Sequence, residues 1–299
     1  MRRNGKFTAL FGRIAEYVYT VLLKPKWIRE ISNKVLLKLV PEYISLDSVK
    51  IACNPSDSVL SVALRFGIYE PFEQSVFKEY CSSRKIILDV GANVGIYSAI
   101  AASAIGPQGK IIAIEPDPES FSYLKKTVLA NRFTTVDCIN VAVGNSEAQA
   151  NIFQGKHNKA DGRLYDPEGG RNAVPVTVTT IDKILLSHSV NEVDLIKMDI
   201  QGSEGLAWQG MSTLLKTSNR PLTIFMEFWP WGLSRMGTNP VHFMKEIVDQ
   251  KFVIKQIDEL KREILTISDP IAFIASLESL QYNSPTMQRS HHNLILTRT

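Results

Sequence analysis

The run Ile86-Ile87-Leu88-Asp89-Val90-Gly91-Ala92-Asn93-Val94-Gly95 restricts the fold more than any other stretch of the chain. Aliphatic residues in unbroken succession, closed by an acid and a glycine, suit a strand buried on both faces of a parallel sheet. The turn after such a strand lies at its carboxyl end, where open α/β sheets bind their ligands. Gly91 and Gly95 carry no Cβ to hold a ligand off the backbone, and the helix expected after them starts with unpaired N–H groups. The stretch therefore predicts a nucleotide-like ligand site.

Spacing narrows the ligand. A dinucleotide fingerprint wants glycine at its first, third and sixth positions, and here those positions hold Gly91, Asn93 and Ile96, which argues against NAD or FAD. Gly-x-Asn-x-Gly preceded by Asp89 instead resembles motif I of the S-adenosylmethionine-dependent methyltransferases. Beyond it, Ile111-Ile112-Ala113-Ile114-Glu115-Pro116 reads as a second apolar strand ending in a carboxylate, which can accept hydrogen bonds from both hydroxyls of a ribose.

From Lys85 onward strands alternate with helices, which predicts a parallel sheet with right-handed crossovers. Strands are expected at 86–90, 110–115, 135–141, 193–198 and 222–228, with a closing antiparallel pair at 252–257 and 292–296 added at the sheet edge. Helices are expected at 97–104, 118–130, 203–215 and 270–280, after short helical segments at 58–66 and 70–80. Glu70 reads as a helix-start acid or as a side chain reaching into a site. Residues 145–182 interrupt the alternation with two extra strands around a Gly-, Asp- and Arg-rich loop from His157 to Asn172, which we read as a substrate lid.

A chain of 299 residues can bury a large core. Its net charge of +4 conceals an asymmetry, because residues 1–40 hold nine Lys or Arg against Glu16 and Glu30 and the remainder is slightly acidic. That argues against a general nucleic-acid binder, which spreads positive charge over the face meeting phosphates. Apolar residues from Phe7 to Leu22 recur at helical spacing, so residues 1–57 are expected as a basic, amphipathic helical extension and 58–299 as the main domain. The stripe suits either a helix lying on an anionic membrane surface or one packed on the core. Arg13 and Glu16 oppose a membrane span or signal peptide. Cys53, Cys81 and Cys138 form no disulfide or zinc pattern, which fits a reducing, cytoplasmic compartment. The five histidines show no metal spacing, and no metal is expected.

A second acidic turn follows the fourth strand: Lys197-Met198-Asp199-Ile200-Gln201-Gly202-Ser203-Glu204. With Asp89 through Gly95, Glu115-Pro116, Asn140-Val141-Ala142-Val143-Gly144 and Thr180-Ile181-Asp182, it is similar in order and spacing to the FkbM-type methyltransferase family over roughly residues 67–297. One departure is visible, since the family commonly has a further acid where Gln201 stands. The resemblance implies a Rossmann-like class I methyltransferase fold, a seven-stranded, mostly parallel sheet with an antiparallel last strand. It also implies S-adenosylmethionine as cofactor, held by Asp89, Gly91, Ala92, Asn93, Gly95, Glu115, Pro116, Asn140, Ala142 and Asp199. The acceptor it implies is a hydroxyl on a sugar, glycan, glycolipid or other small molecule. A hydroxyl needs a base, for which Asp199, Glu204 and Glu227 are candidates, with Lys197 holding one of them ionised. Each has a structural reading too, as a helix-start acid or ion-pair partner. Phe228-Trp229-Pro230-Trp231 would place aromatic faces beside the acceptor. N-methylation of a peptide, protein or base, and a non-catalytic cofactor-binding partner protein, are the alternatives.

Overall fold

The computed structural model describes residues 37–155, 159–166, 169–218, 220–278 and 290–299. The helix expected from residue 7 and His157 lie outside these residues.

A hairpin of β1 (Tyr43–Leu46) and β2 (Val49–Ala52) comes first. Asp57 then caps α1 (Ser58–Arg65), its carboxylate accepting from Leu60 N at 2.9 Å, and Pro71 opens α2 (Pro71–Cys81) where no amide donor is needed. Next come β3 (Ile86–Val90), α3 (Ile96–Ile105), β4 (Lys110–Ile114), α4 (Pro118–Ala130) and β5 (Val136–Ile139). β6 (Ala142–Val143), β7 (Ala148–Gln154) and β8 (Asn172–Thr179) form a separate small sheet ordered β6-β8-β7. The chain continues through α5 (Ile181–Ser187), β9 (Leu195–Met198), α6 (Glu204–Gln209), α7 (Ser212–Thr217) and β10 (Leu222–Phe228). It ends with α8 (Pro230–Arg235), α9 (Pro240–Asp249), β11 (Val253–Asp258), β12 (Glu263–Thr266), α10 (Pro270–Glu278) and β13 (His292–Arg298).

The main sheet is ordered β12-β11-β13-β10-β9-β3-β4-β5. β3 lies inside it, parallel to β4 on one side and β9 on the other, with Leu88 opposite Ile112 and Ile196. Side chains alternate between faces. Ile87, Ile111, Leu195 and Phe225 pack under α1, α2 and α3, where Phe77 meets Phe225 edge-on at 5.2 Å. Leu88, Ile112, Ile196 and Ile224 pack on the opposite face with Trp208 and Phe243.

Two sequence expectations change, the strand count and the helix at 203–215. The sheet has eight strands: β12 adds an outer strand antiparallel to β11, and its side chains are mostly exposed, so it leaves no buried apolar signature. The closing antiparallel pair is present as expected, with β13 between β10 and β11. The helix expected at 203–215 is two helices, because the chain comes so close at Gly210 that a Cβ there would lie 2.0 Å from Gly144 O, and Asp182 then caps α7 through Thr213 N and Leu214 N. The β1–β2 hairpin packs on the sheet, for Val49 and Ile51 share one apolar cluster with Leu60, Phe77, Ile87 and Ile100. Among the described residues no helix is long and apolar enough to cross a membrane.

Candidate active site

The carboxyl ends of β3, β4 and β9 open into a cleft. Gly91, Asn93, Glu115, Pro116, Ala142 and Asp199 line it, joined by Tyr69, Gln201 and Ser203. Gly91 has φ +86°, and a Cβ on it would sit 2.0 Å from the carbonyl oxygen of Asp199. Its missing side chain therefore makes room for the turn after β9, where the sequence reading assigned that space to a ligand. Asn93, also left-handed at φ +48°, donates its N–H to Glu115 Oε2 at 2.8 Å. Its own Oδ1 is buried and has no hydrogen-bond partner among the described residues.

Glu115 Oε1 accepts from Asp117 N at 2.8 Å, so main-chain amides hold both of its oxygens. Burial pushes the carboxyl up to about 8, against the pull of those amides. Each oxygen keeps a second lone pair for an incoming hydroxyl. Asp89, Ala92, Gly95 and Asn140 stand next to the cleft without lining it. Asp89 is buried and accepts from Ser98 Oγ at 2.5 Å, Ala92 N donates to Ile114 O at 2.9 Å, and Gly95 is the first cap of α3. Asn140 Nδ2 donates to Glu115 O at 2.8 Å and Pro116 O at 3.0 Å, bracing the wall from behind.

On the β9 side charged groups hold one another. Lys197 is 2 % exposed and reaches Glu73 at 3.1 Å and Asp199 at 3.9 Å, with its ammonium 4.7 Å from the Tyr97 ring centroid. Burial opposes its charge, but Glu73, Asp199 and Glu70 outweigh that and raise its pKa. Asn293 Nδ2 closes on Glu73 Oε2 at 2.6 Å. Glu70 starts α2 without capping it, and its carboxylate accepts from Tyr97 OH at 2.8 Å. Burial, then Glu73, push Glu70 up to about 8. Gln201 Nε2 donates to Asp199 Oδ1 at 2.8 Å and to Glu227 Oε2 at 3.0 Å, and His291 Nδ1 lies 3.1 Å from Glu227 Oε1.

Of the four candidate catalytic groups, only Asp199 lines the cleft. Glu204 is fully buried and accepts from Ile200 N at 3.0 Å and Gly202 N at 2.9 Å, so it ties the turn together. Lys197 is the buried counter-charge of Glu73 and Asp199. Glu227 stands one hydrogen bond behind the wall, through Gln201. The aromatic faces expected beside the acceptor are covered: Trp229 and Trp231 are 1 % and 5 % exposed, His291 stacks on Trp229 at 4.8 Å, and the Arg163 guanidinium lies 4.7 Å from the Trp229 ring.

Lys159, Ala160, Gly162 and Leu164, from the loop read as a lid, also line the cleft. Asp57 Oδ2 accepts from Lys159 N at 3.0 Å and Ala160 N at 3.1 Å, and Asp161 bridges Arg163 and Arg171. The described part of the loop is thus a pinned roof. Sequence reasoning missed Tyr69, Glu73, Gln201 as a bridge, and His291. Glu73 left the one readable trace, an acid on a helix face that is otherwise apolar.

S-adenosylmethionine, the cofactor implied by the motifs, fits this lining. Asn93 Oδ1 and Glu115 offer acceptors for ribose hydroxyls, Ile114, Val141 and Ile152 flank them as an apolar surface for a base, and Asp199 suits a cation. Comparison with curated proteins gives no match. Among solved structures, a methyltransferase FkbM from Methylobacillus flagellatus KT is 16 % identical over 92 % of this chain and 60 % of its own, with a TM-score of 0.41. The chain thus spans less than two thirds of that protein. A SAM-dependent methyltransferase from Aquifex aeolicus is 14 % identical over 76 % of this chain and 89 % of its own, at a TM-score of 0.39. An O-methyltransferase from Bacillus cereus in complex with SAH is 12 % identical over 97 % and 98 %, at 0.38. The methyltransferase FkbM domain matches residues 89–254, more than half of the chain, and the protein therefore belongs to the FkbM family of S-adenosylmethionine-dependent methyltransferases.

Proposed function

We propose that the protein O-methylates a hydroxyl of a sugar, glycan, glycolipid or other small molecule. The observation that carries this reading is the hydrogen-bonded chain Asp199–Gln201–Glu227–His291, which begins on the cleft wall and supplies the proton-accepting groups a hydroxyl requires. When bound, S-adenosylmethionine supplies a methyl group already activated on sulfonium, so positioning contributes much of the rate. Glu115, Asn93, Pro116 and Ala142 would hold the nucleoside. Asp199 would face the acceptor beside the cleft, with Lys197 as its buried neighbour at 3.9 Å. The loop pinned by Asp57 would exclude water.

Incubating the protein with deuteromethyl-labelled S-adenosylmethionine and a pool of glycans and polar metabolites tests the reading. An acid-stable labelled ether is expected, and label found only on nitrogen would replace the reading with N-methylation. One feature favours that second reading: Glu73, Asp199 and Glu227 outnumber Lys197 and would draw a cationic amine. An amine needs little base, so undiminished turnover in both Asp199→Asn and His291→Ala variants would support it.

We also propose that residues 1–40, with nine Lys or Arg on an amphipathic pattern, dock the enzyme on anionic membrane to reach a lipid-linked acceptor. Co-sedimentation with vesicles of phosphatidylglycerol and phosphatidylcholine should fall when the chain begins at Pro41, ahead of the core-packed hairpin. Equal partitioning of both chains would rule this out.

A further inference from the structure

The family match ends at residue 254, yet one member of the cleft's polar chain comes from beyond it. His291 precedes β13 and is brought to the end of β10 because β13 pairs antiparallel with β10, setting His292 opposite Phe228 and Asn293 opposite Glu227. Two contacts fix the imidazole: it stacks on Trp229, with centroids 4.8 Å apart and planes at 23°, and Nδ1 meets Glu227 Oε1 at 3.1 Å. Among the described residues no group hydrogen-bonds Nε2. The ring is 37 % exposed, more than Glu227 at 14 % or Asp199 at 22 %.

A carboxylate on Nδ1 holds the proton there and leaves the lone pair on Nε2, the tautomer that accepts a proton. His291 does not line the cleft itself, and from this geometry we propose that, as the exposed end of the chain that starts there at Asp199, it is the base that takes the proton of an acceptor hydroxyl seated beside the cleft, with Glu227 as its positioning residue; the proposal rests on the O-methylation reading. In balance, the acceptor's O–H bond breaks and its proton goes to Nε2. The oxygen forms the new bond to the methyl carbon as the carbon–sulfur bond breaks, and that electron pair stays on sulfur as a neutral thioether. The imidazolium left behind is stabilised by Glu227 and returns its proton to water.

The charges around the ring suit this task. Burial lowers the pKa of His291, but the hydrogen bond and charge of Glu227, and then Asp199, outweigh it, with Arg163 opposing, so the net direction is upward. His292, its neighbour in the chain, is lowered by burial and then by His291. Burial and Asp199 raise Glu227, while His291 and Lys197 pull it down. A base raised above the ordinary histidine value loses its proton later, so the rate should rise with pH to above about 6.5 before levelling.

The test uses the full-length protein with S-adenosylhomocysteine bound. Histidine ring resonances, assigned with His291→Asn, should titrate above the ordinary value, and Glu227→Gln should move the midpoint down. An ordinary midpoint that Glu227→Gln leaves in place overturns the proposal, and this measurement needs no acceptor. Calorimetry with S-adenosylhomocysteine should give His291→Ala an affinity within about threefold of the parent, whereas its labelled-methyl transfer into the glycan pool should fall about a hundredfold or more, with partial rescue by added imidazole. Undiminished transfer, or loss of S-adenosylhomocysteine binding, makes His291 dispensable or structural and overturns the proposal. If the parent protein labels no hydroxyl at all, the O-methylation reading fails first, and the titration still decides whether the Glu227–His291 pair exists as described.

Discussion

On the β4 side of the cleft Glu115 is gripped by the amides of Asn93 and Asp117, and Asn140 braces the carbonyls of the same turn. On the β9 side Glu73, Lys197, Asp199, Gln201, Glu227 and His291 hold one another through side chains. The two sides use the same residue chemistry with different anchors. A carboxylate held by main-chain amides stays in one place because those amides are fixed by the turn. A carboxylate held by an amide side chain, an ammonium or an imidazole sits where protons and charge can be redistributed. The first arrangement suits binding and the second suits proton transfer.

The sharpest way to break the β9 side is Lys197→Met. It leaves Glu73 and Asp199 without their buried cation, and removing one partner of a buried pair costs about 3–5 kcal/mol. Denaturant unfolding should show that loss, and a cost below about 1 kcal/mol would mean that side chains do not hold this side together. The matching change on the β4 side, Glu115→Ala, should act on binding first. Loss of two hydrogen bonds at about 0.5–1.5 kcal/mol each predicts S-adenosylhomocysteine affinity down about tenfold or more. Affinity within a factor of three of the parent would take Glu115 out of the binding set.

Gln201→Glu probes the bridge between the two carboxylates. The new acid replaces their shared donor, and Asp199 and Glu227 raise its folded pKa. A folded pKa above the unfolded value of about 4.3 means that stability is present at lower pH and lost as pH rises through the folded value. The difference in melting temperature between variant and parent should therefore widen from pH 5 to pH 8; a constant difference would show that position 201 is electrostatically silent. The smallest effect is expected at Asn140→Ala, which removes two carbonyl bonds behind the wall. It should lower stability by about 1–2 kcal/mol and weaken S-adenosylhomocysteine only severalfold; a loss equal to that of Glu115→Ala would place Asn140 in direct contact with the cofactor.

Much of this was legible in the chain itself because it is local. The 86–90 and 222–228 strands and the helix at 118–130 announce themselves through apolar runs, proline starts and acidic caps. Asn93, Glu115 and Asp199 were identifiable from spacing, because a turn at a strand end places them by its own geometry. Asp89, Gly95 and Glu204 had equally strong spacing, yet each is spent inside the protein. A motif identifies which residues a turn requires and not which of them face outward.

The sequence alone therefore determined a parallel α/β sheet and the turns at the carboxyl ends of its strands, since each depends on neighbours a few positions apart. Tertiary structure decided that β13 enters between β10 and β11, that the roof loop is pinned to Asp57, and that Glu73 and His291 join Lys197, Asp199 and Glu227. The physical reason is the range of the forces involved. Backbone turns and periodic burial are written in adjacent residues, whereas the pairing of a buried charge depends on which distant strand the sheet sets beside it.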